Sequence, residues 1–131
     1  MSAIADTGYL VAYWSDDDEH HDWARSLDIR APLITCEAVV TEAAYITEAP
    51  ELFVKMIADG DLVVDFAITE HSRDILRWLI KYDDLDPGYA DACVVKLWEL
   101  NPRAEVLTTD ERDFRIYRTL SGKPIRCRFP D

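Results

Sequence analysis

The sequence predicts an α/β fold, a three-layer sandwich in which a central parallel sheet lies between helices. Short apolar runs bounded by turn residues alternate with segments whose apolar residues recur at helical spacing. Such alternation is typical of strand–helix–strand units, whose helices cover both faces of a parallel sheet. The 131 residues suffice for one domain with its own core, and no repeat, low-complexity tract or linker interrupts them. We therefore expect a single domain over residues 1–131.

Five apolar runs are predicted to be strands, and the segments around them to be helices. The predicted strands are residues 2–6, 32–35, 61–67, 105–109 and 124–128. The predicted helices are residues 8–14, 18–27, 37–47, 51–58, 70–81, 87–100 and 111–118.

Local signals justify these bounds. An acid-rich turn opens the second helix, where negative charge suits the positive helix N-terminus. The third helix ends before Pro50, the fourth is stopped by Gly60, and the sixth has Pro87 near its first turn. The fifth helix carries an apolar stripe made of Ile75, Leu76, Leu79 and Ile80.

The charge of the chain is large and unevenly distributed. A formal net charge of −12 argues against a general nucleic-acid binder, because phosphate contacts require Lys and Arg. The first hundred residues hold 21 acids and 7 bases, whereas residues 101–131 hold seven bases and five acids. The C-terminal segment is therefore the part suited to contact phosphate, and the remaining negative charge suits a basic partner.

The cysteines and the N-terminus favour a cytoplasmic protein. Cys36, Cys93 and Cys127 are odd in number and widely spaced, which favours reduced thiols over disulfides. The first residues lack the basic region and apolar stretch of a signal sequence, and no segment is long enough for a transmembrane span.

Four acids are candidates for a shared site. Asp6 and Asp110 each follow an apolar strand, and ligands of open α/β sheets bind at the carboxyl ends of the strands. Glu42 and Asp91 are flanked by Ala and Val in helical segments, where a carboxylate is costly to bury unless it is paired, hydrogen-bonded or bound to a cation. Convergent carboxylates repel one another and need a cation, and oxygen ligands favour Mg²⁺ or Mn²⁺ over zinc.

Simpler interpretations exist for individual residues. Asp6 and Asp110 are also suited to cap the helices that follow them, and Asp113 to sit as an acid in a first helical turn. The acid- and histidine-rich run 16–22 lacks two histidines at i, i+4 spacing, so we interpret it as a solvated helix start.

The order and spacing of four segments resemble the PIN domain ribonucleases, and within them the VapC-type toxins of bacterial and archaeal toxin–antitoxin pairs. The segments are residues 4–12, 40–45, 90–92 and 107–114, so the resemblance covers nearly the whole chain. It implies that Asp6, Glu42, Asp91 and Asp110 are catalytic, metal-binding acids, with Asp113 as an additional candidate. Many relatives carry another acid three positions before Asp91, where this chain has Gly88, and Asp86 is the nearest substitute.

The resemblance implies an Mg²⁺- or Mn²⁺-dependent endoribonuclease that hydrolyses RNA phosphodiester bonds. No arrangement of His, Ser or Cys suits a covalent intermediate, so we expect direct attack by water. Arg112, Arg115 and Arg118 follow Asp110 on one predicted helix and are candidate contacts for RNA phosphate. The alternatives are a PIN-like RNA-processing nuclease without an antitoxin and a catalytically weak PIN-like interaction module.

The resemblance also implies a homodimer that is neutralised by a small antitoxin. The acidic surface suits a basic antitoxin segment, and an apolar groove would supply affinity. The expected groove residues come from the early helices and are Tyr9, Trp14, Trp23, Tyr45 and Phe53.

Overall fold

The computed structural model describes residues 2–131 and contains one parallel sheet. Its strands are β1 (Ala3–Ala5), β2 (Leu33–Thr35), β3 (Leu62–Val64), β4 (Glu105–Leu107) and β5 (Cys127–Arg128). Their order across the sheet is β3-β2-β1-β4-β5, and every neighbouring pair is parallel. The predicted α/β sandwich with a central parallel sheet is confirmed.

Seven α-helices connect and cover the strands in the described part of the chain. They are α1 (Thr7–Trp14), α2 (His21–Ser26), α3 (Glu37–Thr47), α4 (Pro50–Ala58), α5 (Ser72–Lys81), α6 (Tyr89–Leu100) and α7 (Glu111–Ile116). Two short 3₁₀ turns, Ile68–His71 and Asp83–Leu85, flank α5. None of the helices within residues 2–131 combines the length and the apolar character needed to cross a lipid bilayer.

The elements differ from the prediction mainly at their ends. The acid-rich residues before α2 form turns instead of helix, because the Asp18 carboxylate accepts a hydrogen bond from the His20 backbone N–H at 2.8 Å. The fifth predicted helix begins as a 3₁₀ turn and becomes α-helical only at Ser72. Helix α7 ends at Ile116, since Tyr117 adopts an extended backbone with ψ of 143°.

The apolar stripe predicted on α5 is only partly buried. Ile75 and Trp78 pack into the core, and the Trp78 indole N–H donates to the Arg118 carbonyl at 2.8 Å. Leu76 and Ile80 are 58% and 66% exposed, so only part of the stripe faces the core.

Two of the expected groove residues belong to the core. Phe53 is fully buried and Tyr9 is nearly so, which makes Phe53 unavailable to a partner. A cavity of about 560 Å³ nevertheless opens between α1, α4 and the segment before β2, and its lining includes Tyr13, Trp14 and Met56. All three cysteines are free thiols, as predicted.

The sheet order explains why the strand-end acids meet. Strand β1 pairs with β2 on one side and with β4 on the other. Strands β2 and β3 therefore extend the sheet in one direction from β1, and β4 and β5 extend it in the other. Ala5 pairs with Leu107, and the Asp6 N–H donates to the Leu107 carbonyl at 3.0 Å. The residues after β1 and β4 therefore meet at a topological switch point, the usual position of a ligand site in such sheets.

Candidate metal centre

Asp6 is a buried carboxyl held at the end of β1. It stands at the N-cap position of α1, yet its side chain makes no capping hydrogen bond. Its Oδ2 instead accepts a hydrogen bond from the Thr108 hydroxyl at 2.7 Å. Burial raises the pKa of Asp6 to about 7, and the charges of Asp91 and Asp110 act in the same direction. The capping interpretation of Asp6 is therefore wrong.

Asp110 combines a structural and a site position. Its Oδ1 accepts from the Asp113 backbone N–H at 3.2 Å, so it caps α7. Its own N–H donates to the Thr108 hydroxyl oxygen at 3.0 Å. Thr108 thus links the Asp6 carboxyl to the Asp110 backbone, and burial raises the pKa of Asp110.

Asp91 lies in the first turn of α6 and is held from the opposite side. The Tyr117 hydroxyl donates to Asp91 Oδ2 at 2.8 Å. Burial raises the pKa of Asp91 to about 6, and the nearby carboxylates of Asp110 and Glu42 contribute. The Tyr117 ring is itself completely buried among Trp78, Tyr82 and Phe114, which fixes its hydroxyl.

Three of these acids form a compact group. Asp91, Asp110 and Asp113 each offer a carboxylate oxygen, and these atoms lie within 4.8 Å of one another. Two charges at that separation repel by roughly 3 kcal/mol at an effective dielectric constant near 20. Within residues 2–131 none of the three forms an ion pair with Lys or Arg.

Glu42 stands at the margin of this group. Its Oε1 accepts a hydrogen bond from the Thr7 hydroxyl at 2.7 Å, so the first residue of α1 orients a side chain of α3. Glu42 is exposed, contrary to its predicted place on a packed helix face. Neither Glu42 nor Asp6 belongs to the compact group. The charge of Glu42 raises the pKa of Asp91, and the charges of Asp91 and Asp110 raise the pKa of Asp6.

Comparison with known proteins places this arrangement in a family. The model of the PIN domain matches residues 3–124. The chain belongs to the PIN domain family. PIN domains are nucleases as a family.

A solved structure supports the fold of this PIN domain. The VapC20 toxin of Mycobacterium tuberculosis, described as a sarcin-ricin loop cleaving toxin, superposes with a TM-score of 0.72 and 16% identity. The match covers 83% of this chain and 92% of that toxin. At this level of identity the likeness establishes a common fold. No curated protein matches the chain by sequence.

The donor set of this PIN domain fits a hard divalent cation. Three carboxylates converge, none of them in an ion pair with a Lys or Arg of residues 2–131, and their ligand atoms are oxygens, as Mg²⁺ and Mn²⁺ prefer. Asp113, instead of Asp86, joins the compact group. Asp86 is exposed in a left-handed turn with φ of 49°, and Gly88 caps α6.

Sequence reasoning missed most of the side chains that hold the acids. For Thr108 the available signal was its place at a strand end, two residues before Asp110. Thr7 had only its position next to Asp6 as a signal. Tyr117 had none, since it stands 26 residues from Asp91 and meets it only in the folded PIN domain.

The three arginines near the acids have different surroundings. Arg115 pairs with Glu111 at 2.7 Å, and Arg118 donates to the carbonyls of residues 115–117 at the end of α7. Arg112 is exposed and forms no side-chain hydrogen bond or ion pair to the residues that the structure describes. Its charge lowers the pKa of Asp110, against the larger effect of burial.

Proposed function

We propose that this PIN domain is a metal-dependent endoribonuclease. The observation that carries the proposal is the compact group of Asp91, Asp110 and Asp113 at the switch point of the sheet. A charge density of this kind, without a basic partner, is suited to bind a divalent cation next to a phosphodiester.

In the proposed site the three clustered carboxylates hold Mg²⁺ or Mn²⁺, with Asp6 and Glu42 beside them. A bound divalent cation supplies Lewis-acid stabilisation of phosphoryl oxygens and lowers the pKa of water. Thr108, Tyr117 and Thr7 fix the carboxylates through hydrogen bonds of 2.7–2.8 Å, so little reorganisation is needed during the reaction.

Proton transfer in the proposed reaction falls to the Asp6 carboxylate. A general base must lie within reach of the proton that it accepts, and Asp6 lies close enough to Asp91 and Asp110 for their charges to raise its pKa. Thr108 orients this carboxyl toward the acids of α6 and α7. Hydrolysis by water in this way leaves a 5′-phosphate and a 3′-hydroxyl.

Arg112, Arg115 and Arg118 are the proposed contacts for RNA phosphate. Arg112 is the best placed for the scissile region, because it is exposed beside Asp110 and unpaired among residues 2–131. Arg118 already caps the carbonyls of α7, which favours a mainly structural role for it.

We further propose that the enzyme is the cytoplasmic toxin of a type II toxin–antitoxin pair and forms a homodimer. The fold shared with VapC20 and the net charge of −12 support a small basic antitoxin as partner. The 560 Å³ cavity lined by Tyr13, Trp14 and Met56 is the proposed groove for its apolar side chains. Leu76 and Ile80, exposed on α5, are candidates for the dimer interface.

The decisive experiment is an RNA cleavage assay with purified protein. We expect cleavage of single-stranded or looped RNA with Mg²⁺ or Mn²⁺ and none in EDTA. Asp91→Asn and Asp110→Asn should each lower the rate at least about 100-fold, and Asp113→Asn should have a milder effect. Asp22→Asn, an exposed change on α2, is the control and should act like wild type. Full-rate cleavage in EDTA would exclude the proposed mechanism.

A further inference from the structure

A second cleft lies beside the acids, between α7 and β5. Its volume is about 240 Å³, and its lining includes Arg115, Arg118, Ile125 and Phe129. The Arg115 guanidinium carbon stands 5.0 Å from the centre of the Phe129 ring, a cation–π distance. The cleft therefore presents an aromatic ring with an arginine over it as a cation–π pair.

The register of the sheet places this cleft next to the proposed reaction centre. Leu107 of β4 pairs with Arg128 of β5, and the Thr108 N–H donates to the Arg128 carbonyl at 3.3 Å. Phe129 is the residue after β5 and therefore lies across the sheet from Thr108. The Thr108 hydroxyl in turn donates to the Asp6 carboxylate. Since neighbouring strands lie about 4.8 Å apart, the Phe129 end of the cleft lies at the sheet edge that carries the acids, one strand beyond Asp110.

The charge of the cleft is opposite to that of the protein. None of its lining residues in the described chain is acidic, although the whole protein carries −12. Arg115 has one acidic partner, Glu111, and the two side chains are 65% and 47% exposed. An ion pair this exposed contributes little to stability, so a phosphate can replace the carboxylate at low cost.

We propose that this cleft is a subsite for one unpaired base of single-stranded RNA adjacent to the cleaved bond. The base stacks against the Phe129–Arg115 pair, and Arg115 contacts the phosphate of the same nucleotide. Stacking on a side chain requires a base that is free of its helix, which selects single-stranded or looped RNA over a duplex. The inference rests on the proposed ribonuclease function and names the part of the substrate that this surface recognises.

The test measures binding of a short, fluorescently labelled single-stranded RNA by anisotropy in EDTA, where the proposed reaction does not proceed. Phe129→Leu keeps the apolar bulk and removes the π face, so it should weaken binding about tenfold without changing the salt dependence. Arg115→Ala should weaken binding and reduce the slope of log K against log salt by about 0.7. Arg115→Lys should keep the slope and still lose affinity, because an ammonium does not stack as a planar guanidinium does.

Matched controls separate this subsite from general effects. Arg103→Ala removes an exposed arginine just before β4, at the opposite sheet edge, and should change neither affinity nor slope. Phe129→Trp should bind at least as tightly as wild type, and a duplex of the same sequence should not distinguish Phe129→Leu from wild type. Melting temperatures identify any variant that unfolds. If Phe129→Leu or Arg115→Ala does not fold, the affinity of Arg115→Lys for the single-stranded RNA tests the proposal.

The result that would overturn the proposal is wild-type affinity for Phe129→Leu and Arg115→Lys, or equal losses on single strands and duplex. This outcome is distinct from failure of the proposed function. Binding is measured without turnover, whereas the ribonuclease proposal fails if no RNA is cleaved with Mg²⁺ or Mn²⁺. In an active enzyme, Phe129→Leu should raise KM with kcat unchanged, which separates substrate binding from chemistry.

Discussion

At the scale of single residues, the carboxyl of Asp6 is buried without a basic partner among the described residues, as expected of a group that faces a cation. The side chain is 5% exposed, and no Lys or Arg among the described residues pairs with it. One hydrogen bond from Thr108 offsets only part of the cost of burying the ionised form, so the pKa is raised to about 7. Asp6 is thus unfavourable to the metal-free fold once it ionises.

This burial predicts that the metal-free protein loses stability as pH rises. The Asp6 pKa is raised from 3.8 to about 7, so between these values the folded state binds more protons than the unfolded state, and the free energy of unfolding falls with pH. The Asp6 contribution is on the order of 4 kcal/mol, and the Asp91 pKa of about 6 acts in the same direction.

The measurement compares denaturant unfolding of wild type and Asp6→Asn in EDTA at about pH 5 and about pH 8. The difference between the two proteins isolates Asp6 from all other titrating groups. Asp6→Asn should be more stable than wild type at the higher pH, and the gap should narrow at the lower pH. Added Mg²⁺ should stabilise both proteins, and wild type more, because the Asp6 charge adds to that of the three clustered carboxylates. A variant that is less stable than wild type at both pH values would make Asp6 a structural residue.

At the scale of elements, the alternation of apolar runs predicted all five strands and all seven helices, because each pattern reports a local periodicity. The ends were harder to predict. The turn before α2 depends on a hydrogen bond from a backbone N–H to the Asp18 side chain, which competes with helix formation. The spacing of apolar residues along the sequence does not reveal such a bond. Asp91 and Asp110 of the compact group could be named as candidates from the sequence, because Asp91 interrupts an apolar segment and Asp110 follows one. Tyr117 could not, since only tertiary packing brings its hydroxyl to Asp91.

Helix α1 approaches the loop between β4 and α7 unusually closely, at Gly8. A methyl group built at Gly8 would overlap Thr109 Oγ1 and lie 3.2 Å from Thr109 Cβ. Thr109 immediately precedes Asp110, so displacement of this loop would move a proposed metal ligand. The absence of a side chain at Gly8 therefore sets the distance between the two strand-end acids.

Gly8→Ala should lower both stability and cleavage rate. Overpacking of this kind costs about 1–3 kcal/mol, and a displacement of Asp110 should reduce kcat beyond what the loss of folded protein explains. Gly88→Ala is the matched control, because no atom lies within 4 Å of its added methyl and its φ of −76° suits alanine. Unfolding curves and kcat are measured for both variants. Adding Thr109→Ala should partly restore the stability and kcat of Gly8→Ala. If Gly8→Ala changed neither quantity, the loop would be able to move without affecting the site.

At the scale of the whole molecule, charge is segregated along the chain. The first hundred residues carry a net −14, from 21 acids and 7 bases, while residues 101–131 carry +2, from seven bases and five acids. The first hundred residues, which include α1 to α6, are therefore acidic as a whole, and six of the seven bases of residues 101–131 follow Asp110. The C-terminal segment is therefore suited to the proposed RNA substrate, and the acidic remainder to the proposed cationic partner.

This segregation leads to the last prediction, that a small basic antitoxin binds the acidic part of the protein and inhibits cleavage. Long-range attraction should give fast association that slows steeply with added salt, whereas apolar contacts in the 560 Å³ cavity should set the dissociation rate. Co-expression with the product of the neighbouring gene, followed by purification and the RNA cleavage assay, tests capture and inhibition together.

Variants of the cavity then locate the contact. Met56→Glu places a charge in the cavity lining and should weaken capture while the released enzyme keeps its cleavage rate. Leu100→Glu adds the same charge at the end of α6, where the side chain is 48% exposed and lies outside that lining, and should leave capture intact. Equal effects of the two substitutions would remove the cavity as the docking site. A protein that captures no partner and cleaves RNA at full rate would end the toxin assignment, and the chemistry of Asp91, Asp110 and Asp113 would then belong to an RNA-processing nuclease.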